Sequence, residues 1–527
     1  MTQINYRLVL QEAFGNGVKS FQTCHGNETY VDIETPILPK VSLYICQTLG
    51  GVLVNVIGTD ERPVDGFYRI YYVFSFDQAD QFLILRVQLS GETPAYPSVT
   101  PVLHAASWYE RENQDLLGLK PVGHPYPQRL VHHEHWPEGV YPLRKDFDGK
   151  SHPEPVAGTW NVRPVSGEGV FEVPVGPVHA GIIESGHFRF SVVGETVLEL
   201  VARLFYKHRG VEKLAEGKPF EQACILAERI SGAGSFSHST AFCHAIERIA
   251  GIDIPDRAKV LRTIFLEMER LYNHVGDVGN LCAGTGLIVG NAQGAILKER
   301  LMQMNERVSG HRYLFGVNSP GGVRRDLAEQ HTVDILKTLK EIEKEFASLT
   351  GMIEDSNSNM DRLEGAGLLS YQDARDHSVV GPAGRASGIN RDCRRDHPHA
   401  AYDRVRFSVP VHQTGDVFAR MRVRVDEVPQ SIAIIRQLLV SLPKGPCVTP
   451  LPVVPAYQFG LGYAESPRGE LYHWVMTGSG NTIYRLKVRS PSFCNWHVVP
   501  RTVPGNIVPD FPLINKSFEL SYAGNDR

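Results

Sequence analysis

Between Val41 and Ser90, apolar and polar residues alternate through VSLYICQTLGGVLVNVIG and GFYRIYYVFSFDQADQFLILRVQLS, with Gly and Asp at the breaks. A period of two, rich in β-branched and aromatic side chains, predicts strands joined by tight turns. Thr100 to Asn113 reads as a short helix, and a proline- and histidine-rich stretch without periodicity follows to about Asp148. Pro and Gly dominate the next segment, SHPEPVAGTWNVRPVSGEG, which predicts a linker and a domain boundary near residue 155. Beyond it a short β region is expected from Phe171 to Val193, and then the period lengthens. Val197, Val201, Leu204 and Phe205 recur at helical spacing, as do Val260, Leu261, Ile264, Phe265, Met268 and Leu271. Further helices are expected around 292–312, 332–353 and 428–441. The expected fold is α+β: a small α/β domain over 1–155, then a helix-dominated domain with peripheral strands over 156–527.

Length agrees with two domains, because 527 residues exceed what one hydrophobic core organises. A net charge of -4 gives no broad basic field, so nucleic acid is not an expected partner despite the local cluster Arg391, Arg394 and Arg395. No run of eighteen apolar residues occurs and no charged-then-apolar leader is present, which predicts a soluble, cytoplasmic chain. The eight cysteines contain no C-x-x-C pair, so no thiolate clamp for zinc or an iron-sulfur cluster can be read locally, and they are expected to be reduced core thiols. His132, His133 and His135 are too close in sequence to chelate one ion together, and no metal is expected there.

Two short segments carry the candidate chemistry. Arg229 to His238, RISGAGSFSH, has the frame of an R-x-C-G-x-C-x-x-x-H metal motif, with Ser231 and Gly234 where thiols would stand. Ser521-Tyr522-Ala523-Gly524 repeats the substitution at the same three-residue interval. A serine hydroxyl is a poor soft-metal ligand and glycine offers none, so no metal is expected at Ser231, Gly234, Ser521 or Gly524.

The surroundings of these segments carry a family resemblance. In the first domain, WYERENQDLLGLKPVGHPYPQRLVHHEHWPEGVYPLRKDF, with its E-R-E, D-L-L-G, G-H-P and P-L-R-K-D-F elements, resembles the smaller hydrophilic subunit beside the quinone module of respiratory complex I. In the second, GPVHAGIIESGHFRF, YKHRGVEKLAEG, GGVRRDL, GPAGRASGINRDCRRDHP, LPKGP and AESPRGE resemble the large subunit of membrane-bound nickel-iron hydrogenases of the formate hydrogenlyase type and its complex I relative. The second resemblance runs from about Gly176 to Arg527, and Arg527 is not followed by the tail that hydrogenase precursors lose on metal insertion, so no maturation is expected.

The resemblance assigns expected roles. A nickel-iron centre takes four thiolates from two C-x-x-C pairs, and all four positions are changed here. In complex I the same loss makes room for a quinone headgroup held by a histidine and a tyrosine. Here the loop after His179 is two residues longer, so His187 does not match that histidine; the tyrosine falls on Phe242, which cannot donate a hydrogen bond, and the orienting aspartate falls on Gly284. Arg209 matches the arginine against the neighbouring subunit's proximal iron-sulfur cluster, where its charge would favour the reduced cluster; a salt bridge to Glu212 is the alternative. Glu184 lies near the hydrogenase proton-relay carboxylate, with a solvent-facing loop residue as the alternative. Arg229, His238, Arg385 and Asp392 would line or brace the emptied cavity, and Arg324 stands where complex I has a histidine.

Three functions follow as expectations. The first is a large subunit of a membrane-associated, complex I-like or formate hydrogenlyase-like oxidoreductase, peripheral on the cytoplasmic face of the inner membrane. Its implied partners are an iron-sulfur small subunit, a ferredoxin-like subunit and membrane ion-translocating subunits; it would bind no cofactor directly, quinone is a possible acceptor, and NAD enters only at the level of the complex. The second is a catalytically silent scaffold, and the third an active hydrogenase. A polar pocket shared by Glu184, Arg229, His238 and Arg385 would favour the first, and a cavity filled by Phe242 the second.

Overall fold

The computed structural model describes residues 5–179 and 183–527. Its N-terminal part is built on a five-stranded sheet of β1 (Val18–Cys24), β2 (Glu28–Ile33), β3 (Val52–Asp60), β4 (Tyr68–Phe76) and β5 (Gln81–Leu89) in the order β1-β2-β5-β4-β3. The β2–β5 pair is parallel and the others antiparallel. Both faces of this sheet are covered. Ile70, Tyr72 and Phe74 join the main core, while the alternate residues Tyr71 and Val73 pack on Leu461, Tyr463 and Trp474. Burial on both faces explains why FYRIYYVFSF is apolar almost throughout.

One predicted strand is a helix. Leu38–Gln47 forms α1, because Pro39 opens its first turn and Leu38, Val41 and Ile45 recur at intervals of three and four on one buried face. The helix expected over 100–113 starts later, as α2 (Ser107–Leu117) after a short 3-10 turn. Residues 151–166 carry no helix or strand.

The rest of the chain is organised around long helices. A small antiparallel sheet, β6 (Val170–Val175), β7 (His187–Val193) and β8 (Thr196–Arg203), precedes them. The helix read from Val197, Val201, Leu204 and Phe205 does not form: the first two lie in this third strand and the last two just beyond its end. A bulge between Val197 and Glu199 shifts the alternation, so the buried residues of the strand are Val197 and Leu200 rather than every second one. The helices are α3 (Ser235–Ala250), α4 (Asp256–Thr285), α5 (Ile288–Ser309), α6 (Glu329–Glu354) and α7 (Val417–Val440). α4 and α5 cross so closely that a Cβ on Gly279 would lie 2.6 Å from the Cα of Gly294. A second antiparallel sheet, β9 (Phe459–Ser466), β10 (Gly469–Thr477) and β11 (Ile483–Arg489), lies against α3 and carries the N-terminal sheet; the short helices α8 (Phe511–Phe518) and α9 (Tyr522–Asp526) complete the chain's order.

Candidate functional site

The two altered motifs meet in space. Ser231 precedes a 3-10 turn, Gly232–Gly234, that leads into the first residue of α3. Ser521 is the N-cap of α9, its hydroxyl accepting from the Gly524 N–H at 2.9 Å, while its own N–H donates to Ser492 Oγ at 3.0 Å. A Cβ built on Gly524 would stand 3.2 Å from Ser231 Cβ and 3.1 Å from Ser521 Oγ. Packing this tight leaves a 524 side chain no room unless its neighbours shift. The donor set therefore does not fit a nickel-iron centre: two positions lack a side chain and one hydroxyl is spent on a helix cap.

Arg209 ties these segments together. Its guanidinium donates to the Arg229 carbonyl at 2.7 Å, the Ile230 carbonyl at 2.9 Å and the Ala523 carbonyl at 3.3 Å, and its backbone N–H donates to the Arg527 carbonyl at 2.8 Å. The residue is exposed, so its charge faces outward at the junction of the two motifs. Glu212 is not its partner, for that carboxylate accepts from Arg485, Arg527 and Val488 N–H instead. Glu184 joins the same junction, accepting from the Ala523 N–H at 2.8 Å.

The other predicted site residues divide between this junction and elsewhere. His238, buried one turn into α3, has Nδ1 2.9 Å from Nε2 of His473 on β10. Burial, with Arg527 and Arg209 nearby, pushes the His238 pKa down to about 3, which leaves the ring neutral. Arg229 points outward and stacks on Phe315, its guanidinium carbon 4.2 Å from the ring centroid, so the structure does not bring it into a pocket with Glu184 and His238. Phe242 is fully buried with its ring 6.4 Å from that of His473. Gly284 abuts Leu513 of α8, and His187 opens β7 against Trp160.

Arg385 and Asp392 belong to a buried ionic network behind the motifs. Arg385 pairs with Glu427 at 2.5 Å, Glu465 at 3.0 Å and Asp392 at 3.5 Å. Asp392 holds Arg394 at 2.7 Å, Arg394 reaches Glu267 at 3.2 Å, and Glu267 accepts from Tyr402 and Ser431. Arg270 bridges Glu267 at 3.3 Å and Glu427 at 3.5 Å, and Glu427 also meets His274 at 2.7 Å. Burial opposes the ionised form of Glu427, yet Arg385 and His274 hold its carboxyl well below the usual range. Glu465 goes the other way: burial and the nearby Asp392 raise it to about 7, despite Arg385. Ser466, next in sequence, lies beside Gly234, so the network reaches the first motif through β9.

Several of these residues were missed in the sequence. Glu267, Arg270, His274 and Asp277 recur at intervals of three and four inside the otherwise apolar α4, and that polar stripe was the available signal. Glu269, on the same helix, caps α3 by accepting from Phe236 N–H at 2.7 Å, Ser237 N–H at 3.1 Å and the Ser237 hydroxyl; burial raises its pKa to about 7 against those donors. A second buried cluster joins Glu112 of α2 to Lys487 of β11 and to Arg527, and Arg527 reaches Glu212 at 3.2 Å. Here the E-R-E element of the N-terminal part is tied to the end of the second motif.

Comparison with known proteins covers both parts. The profile of the respiratory-chain NADH dehydrogenase 30 Kd subunit matches residues 31–153, that of the 49 Kd subunit matches 293–458 and 448–527, and that of nickel-dependent hydrogenases matches 209–283. Formate hydrogenlyase subunit 5 of Escherichia coli (strain K12) is 37% identical over 99% of this chain and 93% of its own length. Hydrogenase-4 component G of the same organism is 36% identical over 94% of this chain and 88% of its own. The C/D subunit of the NADH-quinone oxidoreductase of Phocaeicola vulgatus is 30% identical over 81% of this chain and 86% of its own. A chain in the solved structure of the membrane-bound sulfane sulfur reductase, an archaeal respiratory membrane complex, superposes with a TM-score of 0.65 at 28% identity, covering 69% of this chain and 100% of that one. The chain belongs to the family of hydrogenase and complex I-like large subunits in which a 30 Kd-type domain is fused ahead of a 49 Kd-type domain. It is a subunit of a multisubunit oxidoreductase, and among the described residues no helix is long and apolar enough to cross a membrane.

Proposed function

We propose that this subunit works without nickel, as the electron-accepting large subunit of a membrane-associated, complex I-like complex. The observation that carries it is the junction of the two motifs: thiol positions are taken by a helix cap and by glycine, while Arg209, Glu184 and His238 keep polar groups around them. Arg209 would face the terminal iron-sulfur cluster of a small subunit, where a fixed guanidinium charge stabilises the reduced cluster and raises its potential. Glu184 would serve the acceptor reaction as a proton carrier and His238, whose ring stays neutral, as lining, with Arg385 and Asp392 bracing the junction from behind.

Small-subunit, ferredoxin-like and membrane ion-translocating partners, and docking on the cytoplasmic face of the membrane, follow from this role. The acceptor is quinone or another small molecule. By the family resemblance Phe242 and Gly284 stand where a quinone headgroup would need a tyrosine and an aspartate, and one relative by structure is a chain of a sulfane sulfur reductase complex, which leaves the acceptor class open to non-quinone chemistry. Metal analysis of the purified complex tests the first point, and stoichiometric nickel would overturn it. Glu184→Gln and His238→Ala are expected to slow turnover of the complex with assembly intact; unchanged turnover in both would leave the scaffold reading.

A further inference from the structure

The small sheet ends at β8, and its outer edge is used unevenly. At the start of the strand the chain covers it: Val197 N–H donates to the Asn506 carbonyl and Gly505 N–H to the Val197 carbonyl, both at 2.9 Å, and Thr196 bridges Ile507. At the far end the Leu204 carbonyl lies 2.9 Å from His133 Nε2. Between them, from Glu199 to Arg203, that edge has no main-chain partner among the described residues. An open strand edge is a template for a further strand.

This stretch forms one wall of a groove of about 590 Å³ between the N-terminal part and the small sheet. Three arginines, Arg111, Arg129 and Arg203, and one carboxylate, Glu134, line it. Arg203 is neutralised by Glu134, with contacts of 2.7 and 2.9 Å. Arg111 and Arg129 have no carboxylate within ion-pair distance among the described residues, yet both are held in place. Arg111 donates to the Gln128 and Arg129 carbonyls at 2.7 and 2.9 Å, and Arg129 donates to the Trp136 carbonyl at 2.6 Å. The groove is therefore net positive, with pre-oriented guanidinium groups beside an unpaired strand edge, and Trp108 and Trp160 give it apolar walls.

We propose that this groove receives an extended acidic segment of a partner protein, added as a strand to β8 between Glu199 and Arg203. Main-chain hydrogen bonds would supply the pairing, and Arg111 and Arg129, which make no direct ion pair among the described residues, would select carboxylates on alternate positions. The role is independent of the redox reading, because it concerns main-chain pairing along β8 and a peptide ligand.

The test is hydrogen exchange on the full chain titrated with the acetylated hexapeptide Thr-Glu-Val-Asp-Val-Glu. At saturation, alternate amides between Glu199 and Arg203 are expected to slow by about ten-fold or more, and the same peptide N-methylated at alternate residues is expected to leave them unchanged. Arg111→Gln with Arg129→Gln should raise the concentration needed by about ten-fold. Unchanged exchange with the hexapeptide, or equal protection by the N-methylated form, would overturn the proposal.

Discussion

The junction of the two motifs and the ionic network behind it are held together in different ways. At the junction the fillings are local: the Ser521 hydroxyl caps a helix, and Gly524 lets the Ser231 and Ser521 side chains close against its backbone. In the network, arginines and carboxylates from α4, α7 and β9 remain paired although no metal ligand stands beside them. A ligand position can be refilled alone, whereas a buried charge removed alone leaves its partner unpaired in a low-dielectric interior. Retention of the network thus needs no catalytic explanation.

The contrast can be broken most sharply at Arg385. Arg385→Met leaves Glu427, Glu465 and Asp392 short of a cation and is expected to cost about 3–5 kcal/mol, read from the denaturant midpoint of the isolated chain. A cost below about 1 kcal/mol would remove the distinction drawn between the two regions.

Acid offers the next test. The folded His238 pKa, about 3, lies below the ordinary histidine value, so on acidification the unfolded chain takes up the proton first. Its contribution is present above about pH 6.5 and is lost as pH falls towards 3, by up to about 3 kcal/mol at pH 4. His238→Gln is expected to flatten the fall in stability between pH 7 and 4, followed by urea titration at each pH; an unaltered slope would mean that His238 does not titrate on unfolding.

Smaller effects belong at the junction. Gly524→Cys is expected to cost about 1–2 kcal/mol through crowding against Ser231 and Ser521, and adding Ser231→Cys, Gly234→Cys and Ser521→Cys should still not yield stoichiometric nickel by metal analysis. A loaded, unstrained quadruple variant would show that the site had kept its shape. Arg229→Ala should cost less than about 1 kcal/mol in thermal unfolding, because only an exposed stack on Phe315 is lost.

Much of the fold was legible where one pattern ran through a whole element, as in the continuous apolar run of β4 and the helical spacing within α4. It failed where local context intervened. Pro39 starts α1 inside a stretch whose alternation suggested a strand, and the bulge in β8 broke the alternation that would have marked a strand. At the site, the frames around Ser231 and Ser521 were visible, as were Arg209, Glu184 and His238. Their partners were not: His238 meets His473, and Arg385 meets Glu427 and Glu465, across 235, 42 and 80 residues of chain. Arg229 was expected beside them and instead faces outward.

Absence of thiolate ligands is a property of side-chain identity, so it could be read from Ser231, Gly234, Ser521 and Gly524 before any coordinate was known. Whether those positions surround an open cavity or close on one another is a matter of ångströms between segments nearly three hundred residues apart, which no local pattern encodes. The same holds for the charges. Composition counts them, but ion pairing depends on distance and burial: packing of α4, α7 and β9 encloses Arg385 among carboxylates, while Arg209 lies exposed at the surface.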